Sequence, residues 1–250
     1  MDKAFKSQKA SSLVALIPAR AGSKRLPRKN LRMFCGKPLI AWTILAAKRC
    51  PRINRIIVST EDAEIARVAR QWGAETPFLR PLKLSTDTAS SMDVVLHALT
   101  ELAKDNKLYD AVALLQPTSP LRTAKHLTEA ISLFESKKVP AVVSVAVEPH
   151  SPLWTNRLTS KGTLACFARS LSAGVRNVQG PWYRLNGAIY IAKVDFLKKR
   201  RDWYSNATRA YVMPALYSWD IDTIDDFFIA ELIMKNLNGC TSLINRKFLP

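Results

Sequence analysis

Five cations fall within ten residues of this chain: Arg20, Lys24, Arg25, Arg28 and Lys29, with Gly22 and Ser23 among them and no carboxylate nearby in sequence. Such side chains neutralise phosphate charge. Gly22 lets the backbone approach an anion, and successive N–H groups can form a nest around it. The stretch is not a Walker A loop, because Gly-x-x-x-x-Gly-Lys-Ser/Thr is absent. Read alone, it fits a solvated basic loop equally well.

Near the other end, Asp220 and Asp222 are separated by one residue. In an extended segment both carboxylates project to one side. Facing a cationic loop, the pair suits Mg²⁺, which takes oxygen ligands and prefers one or two carboxylates plus substrate phosphates. The competing reading is an acid-rich helix N-terminus, since Asp225 and Asp226 follow. A metal with a triphosphate accounts for both ends of the chain at once. Between them, two prolines stiffen Gln116 to Arg122. There Gln116, Thr118 and Ser119 offer donors and acceptors for a nucleobase edge or ribose, and Arg122 a fork for an anion. A plain rigid turn is the other reading. Arg80 and Arg184 each flank a predicted strand end, and sequence physics alone does not select them. The expected chemistry is a Mg²⁺-dependent attack on a phosphorus atom of a nucleoside triphosphate, with cations spreading the developing charge.

The elements must carry these groups to one place. Leu13 to Ile17 is a short apolar run bounded by Pro18 and reads as a buried parallel strand. A strand ending in a Gly-containing cationic loop is a layout for holding phosphate beyond the strand's carboxyl end. The pattern then predicts a helix over 38–48, a strand over 55–60, a helix over 62–72 ended by Gly73, and a third strand over 74–79. A helix follows from Ser90 or Ser91 to about 107, a strand over 110–115, a helix from Thr123 to about 138 and a strand over 141–147. From Glu148 to Tyr183 the alternation breaks. The sheet resumes over 186–192, followed by a basic helix over 194–201, a strand over 210–213 and an amphipathic helix over 224–237. This order argues for an α/β fold with a doubly wound, mostly parallel sheet. The predicted organisation is a basic tail (1–12), one α/β domain (13–237) carrying an insertion at 148–183, and a C-terminal tail (238–250).

Charge sharpens the functional reading. The net charge is +18, and residues 1–60 hold fourteen Lys/Arg against one acid, Asp2. That asymmetry predicts a polyanionic partner, either nucleic acid or a nucleoside triphosphate. No helix-turn-helix, zinc-finger, RNP or KH signature is present, and aromatics do not interleave the basic cluster, which argues against nucleic acid. No apolar run reaches transmembrane length, so no membrane role is expected. Cys35, Cys50, Cys166 and Cys240 lack C-x-x-C spacing, which fits reduced thiols and a cytoplasmic location.

Five ordered segments carry a family likeness: IPARAGSKRLPRKN (17–30), LRPLKLSTDTASS (79–91), LLQPTSPLRT (114–123), RLNGAIYI (184–191) and DIDTIDDF (220–227). Together they resemble the acylneuraminate cytidylyltransferases, or CMP-sialic acid synthetases, from about Leu13 to Met234. The resemblance implies a nucleotide-diphospho-sugar-transferase-like fold. It also implies that the anomeric hydroxyl of a nine-carbon 2-keto acid sugar attacks the α-phosphorus of CTP, giving the CMP-sugar and pyrophosphate. By the same likeness Ala19, Arg20, Gly22, Ser23, Lys24, Lys29 and Asn30 form the nucleotide loop, with Lys29 on the triphosphate and Arg20 toward the α-phosphate. Arg80 and Ser90 help bind the nucleotide. Gln116, backed by Ser119 and Arg122, faces the sugar with Arg184 and Asn186, and Asp220 and Asp222 hold Mg²⁺, with Arg20, Lys29 and Asp222 the groups expected to act in catalysis. The span 148–183 corresponds to a dimerisation arm, which implies a homodimer with shared active sites.

Three departures from the family pattern stand out. The acid-bearing Thr-Glu-Leu-Asp element is Thr223-Ile224-Asp225-Asp226 here. Ser151-Pro152-Leu153 is followed by Trp154 where N-acetylneuraminate-specific members often carry lysine, which points to a less polar sugar such as legionaminic acid. The family is commonly less basic. The 3-deoxy-manno-octulosonate cytidylyltransferases share the fold and reaction but usually lack the SKRLPRKN pattern, and so rank second. A basic nucleic-acid-binding α/β module is the alternative from another class.

Overall fold

The computed structural model describes residues 12–104, 108–165 and 181–237. The predicted tails at 1–12 and 238–250 therefore lie almost wholly outside the described residues, as does part of the predicted arm. The body is a six-stranded mixed sheet in the order β4-β1-β5-β7-β6-β8. Its strands are β1 (Leu13–Pro18), β4 (Arg55–Ser59), β5 (Ala111–Leu114), β6 (Ala141–Glu148), β7 (Trp182–Lys193) and β8 (Arg209–Val212). β1 runs parallel to β4 and β5, and β6 runs parallel to β8, while β7 lies antiparallel between β5 and β6.

Apolar runs become strands here because both faces of the sheet are covered. In β1, Leu13, Ala15 and Ile17 join one core with α1 (Leu39–Lys48), α2 (Ala63–Gln71) and α4 (Ala124–Ser136). Val14 and Leu16 point the other way, into a second core with α3 (Ser91–Lys104) and α5 (Val194–Arg200). A strand buried on both faces needs a continuous hydrophobic run, and 13–17 supplies one. α2 starts where Asp62 accepts a hydrogen bond from the Ile65 N–H at 2.8 Å, as an N-cap does. A third cluster joins Leu26 of the cationic loop to Phe34, Leu39, Leu121, Ile221 and α6 (Ile224–Leu237).

Three local expectations are corrected. Residues 74–79 form no strand: Glu75 alone bridges Ile57, and Pro77, lacking an N–H, stops the pairing. A two-stranded hairpin, β2 (Met33–Phe34) and β3 (Lys37–Pro38), precedes α1. Its turn residues Cys35 and Gly36 sit at φ 45° and 78°, the mirror-image turn that matches strand twist. β7 begins at Trp182, earlier than predicted, and Trp182–Leu185 pairs with Val145–Glu148. The irregular span is thus bounded by a two-stranded ribbon, and residues 148, 182 and 183 belong to the sheet.

Candidate active site

Chain order leaves β1 toward β4 on one side and reaches β5 on the other, which makes a topological switch point at β1/β5. Ligands of open α/β sheets bind outside the strand carboxyl ends at such a point. A cleft of about 580 Å³ lies there, lined by the cationic loop, by Gln116, Pro117 and Thr118 after β5, and by Asp87 and Asp222.

Fixed backbone contacts shape the loop. Ala19 N–H bonds Ser59 O at 3.0 Å, Asn30 Nδ2 donates to Arg20 O at 2.9 Å, and Ala21 N–H donates to Glu61 Oε1 at 2.8 Å. Leu26 is buried in the third cluster. Between these anchors Arg20, Ser23, Lys24, Arg25 and Lys29 face the cleft. Gly22 has no protein atom within 4 Å of an added Cβ, so the chain itself does not require a glycine there. Arg28 turns away and pairs with Glu64 on α2.

The loop has no acid near it in sequence, but besides Glu61 and Glu64 the fold brings two that line the cleft. Asp87 meets Arg20 Nη2 at 2.7 Å and Lys24 Nζ at 2.5 Å. Asp222 meets Arg25 Nη1 at 3.0 Å and Lys29 Nζ at 3.2 Å. Lys29 Nζ also donates to Ile221 O at 2.6 Å and is the most enclosed of the four cations. Lys24 and then Arg20 hold the Asp87 carboxyl below its ordinary value.

Asp220 and Asp222 differ in their surroundings. Ile221 between them is fully buried and donates its N–H to Thr118 O at 2.8 Å. Asp222 lines the cleft, while Asp220 sits behind Gln116. A Cβ added at Gly187 (φ +71°) would lie 3.4 Å from Gln116 Oε1 and 3.8 Å from Asp220 Oδ2. Burial pushes the Asp220 carboxyl up against the opposing bond from Thr118, and Asp222 adds to the rise. Its Oδ1 is buried with no hydrogen-bond partner. Among the described residues no three His, Cys, Asp or Glu side chains converge as a metal cage. An orphaned oxyanion beside a second, exposed carboxylate is a donor set that fits a hard cation completed by water and phosphate oxygens.

Several of the predicted site residues are buried and hydrogen-bonded within the fold. Arg122 is 2% exposed. It donates to Ala188 O at 2.7 Å, Gln116 O at 3.2 Å and Thr43 Oγ1 at 2.7 Å. Its two terminal nitrogens clamp the Gln116 turn to β7 and α1 while its Nε is buried without a partner, and burial pulls its pKa down to about 9. Ser119 is fully buried beneath the same turn. Arg80, 5% exposed, donates to Glu61 Oε2 at 2.8 Å, Ala19 O at 3.3 Å and Ser85 Oγ at 3.0 Å, so it braces the loop from behind. Asn186 accepts from Ser144 Oγ at 2.6 Å and donates to Ser218 Oγ at 2.9 Å, which fixes the bulge around Gly187. Ser90 Oγ accepts from Met92 N–H at 3.1 Å, an N-terminal cap on α3. Arg184 is half exposed, reaching Glu148 at 3.4 Å and Ser218 O at 3.3 Å.

Sequence reasoning assigned no role to Glu61 or Asp87. Glu61 had a signal, since it follows β4 at the carboxyl edge of the sheet. Asp87 had none beyond its place in a polar loop.

An open α/β sheet whose switch point holds a four-cation cleft and two carboxylates is the architecture of a nucleotidyltransferase. The family model described as Cytidylyltransferase matches residues 14–172. The chain is 39% identical over 226 residues to the CMP-N,N'-diacetyllegionaminic acid synthase of Legionella pneumophila, covering 89% of this chain and 96% of that protein. It is 36% identical over 229 residues to the N-acylneuraminate cytidylyltransferase of Escherichia coli, covering 91% of this chain and 53%, about half, of that one. Among solved structures, CMP:2-keto-3-deoxy-manno-octonic acid synthetase complexed with CTP superposes with a TM-score of 0.70 at 18% identity, covering 91% of this chain and all of that one, a likeness of fold alone. The chain belongs to the cytidylyltransferase family.

Proposed function

We propose that this enzyme joins CMP to a nine-carbon 2-keto acid sugar of the legionaminic or sialic type, releasing pyrophosphate from CTP. The observation that carries the reading is the cleft with Lys29 enclosed at its floor and Arg20, Lys24 and Arg25 around it. Those four cations take the triphosphate, with Lys29 as its fixed anchor. As the bond to the leaving pyrophosphate breaks, negative charge grows where they already point, so little reorganisation is needed. Gln116 and Thr118, which also line the cleft, hold the sugar, with Arg184 as a further contact to it. Arg122 and Asn186 act by keeping the Gln116 turn and the neighbouring bulge rigid. Asp220 and Asp222 would hold Mg²⁺, which when bound supplies charge neutralisation on phosphate and a lowered pKa for the attacking hydroxyl. The sugar hydroxyl attacks the α-phosphorus, the bond to pyrophosphate breaks, and the hydroxyl proton passes to water.

The legionaminic-type assignment is supported by the exposed Trp154 indole in the arm segment and by the name of the Legionella relative. A homodimer belongs to the same proposal. Val147, Tyr183 and Leu185 are 42%, 49% and 52% exposed on the β6/β7 ribbon, and a contiguous apolar patch of that kind fits an interface. No helix of the described residues is long and apolar enough to cross a membrane, and a cytoplasmic enzyme would draw on CTP there. The test is product identity. CTP, Mg²⁺ and N,N'-diacetyllegionaminate incubated with the enzyme give a CMP-sugar by mass spectrometry, in equal amount to pyrophosphate. Pyrophosphate without a CMP-sugar, or neither product with this acid or with N-acetylneuraminate, overturns the proposal.

A further inference from the structure

The geometry points to Asp87 as the residue that exchanges with the triphosphate tail, holding Arg20 and Lys24 when pyrophosphate leaves and yielding them when CTP arrives. This rests on the reading of the cleft as the CTP site. The four cleft cations are shared out between two carboxylates, two each: Asp87 bridges Arg20 and Lys24, and Asp222 bridges Arg25 and Lys29. A phosphate seated on Arg20 and Lys24 needs the same N–H donors that the Asp87 oxygens occupy, so the two compete for one place.

The two carboxylates are not equally able to move. Asp222 follows the buried Ile221, whose N–H and carbonyl are both bonded, and its own N–H donates to Asp226 Oδ2 at 3.1 Å. Its backbone therefore cannot shift without unpacking the third core cluster, although its side chain is half exposed. Asp87 is exposed, in the 82–90 loop, flanked by Thr86 and Thr88, whose hydroxyls bond each other at 3.3 Å. No buried side chain anchors its neighbours on either side. The carboxylate bridging Arg20 and Lys24 is therefore the one that gives way. Its return supplies counter-charge to cations that would otherwise retain pyrophosphate, so Asp87 weakens CTP binding and speeds product release.

The substitution Asp87→Asn keeps shape and removes charge from an exposed loop, with Asp87→Ala as a second variant. Titration calorimetry with CTP and Mg²⁺, and inhibition by inorganic pyrophosphate, are compared with the unmodified enzyme. Two exposed ion pairs are lost, so CTP and pyrophosphate should both bind about three- to tenfold tighter in both variants, with kcat reduced and the melting temperature unchanged. Equal or weaker binding of CTP overturns the inference, as does tightening of CTP without pyrophosphate, which would put Asp87 against the base or ribose. Absence of CTP binding in the unmodified enzyme would instead overturn the reading on which the inference rests.

Discussion

At the scale of residues, the cleft is built from pairs in which one member lines it and the other holds that member in place. Lys29 is fixed by Ile221 O and Asp222, and the Ala19–Ala21 backbone is fixed by Arg80 and Glu61. Asp222→Ala should lower Mg²⁺-dependent kcat on the order of a hundredfold or more, with the melting curve preserved because this side chain is half exposed. Normal turnover would remove Asp222 from the metal site. Glu61 yields a pH prediction. Burial raises its carboxyl, but the N–H groups of Ala21 and Glu61 itself together with Arg80 outweigh that and leave it below the ordinary glutamate value. A depressed carboxylate contributes stability above its unfolded pKa and loses it as pH falls through the folded one. Glu61→Gln strands the buried Arg80, so it should cost about 3 kcal/mol at pH 7. The gap to the unmodified protein should close in urea titrations at a pH below the carboxylate range. A gap that persists in acid would show that charge is not what Glu61 contributes.

At the scale of elements, the bulge at Gly187 joins the sheet to the chemistry. Gly187 holds φ +71° within touching distance of Gln116 and Asp220. Gly187→Ala should cost about 1–2 kcal/mol for the left-handed backbone and lower kcat/KM for the sugar as relief of that strain moves the bulge against Gln116, measured by thermal melts and initial rates. Unchanged kinetics would detach the bulge from the site. Here the limits of the sequence become physical. The apolar runs at 13–17, 55–59 and 111–114 and the capped helices are local patterns, and they were legible. The direction of β7 was not, because antiparallel insertion between β5 and β6 depends on partners far away in sequence. The cationic loop was legible from side-chain type alone. The buried state of Arg80, Arg122 and Asn186 was not, since each is held by groups such as Glu61, Ala188 O and Ser144 that only the fold delivers. An arginine in sequence looks the same whether it faces phosphate or a buried carbonyl.

At the scale of the whole molecule, the parallel core sets the cleft beyond the carboxyl ends of β1 and β5, and the β6/β7 ribbon extends to the boundary of the irregular span. Sedimentation should give a species of twice 28.0 kDa, and Leu185→Glu on the exposed ribbon face should shift it to the monomer; a monomeric unmodified enzyme would contradict the homodimer. The basic bias of residues 1–60 is only partly accounted for by the cleft, because Arg28, Arg52 and Arg55 pair with Glu64, Glu135 and Glu75 elsewhere on the body. The central claim is the reaction itself. It is tested most directly by pyrophosphate release from CTP and Mg²⁺ with legionaminate, N-acetylneuraminate, pseudaminate and 3-deoxy-manno-octulosonate in parallel. The account predicts that one nine-carbon acid, of the legionaminic or sialic type, exceeds the others by at least about tenfold in kcat/KM, roughly 1.4 kcal/mol of transition-state discrimination. Turnover with none of the four, or fastest turnover with the eight-carbon acid, would contradict it.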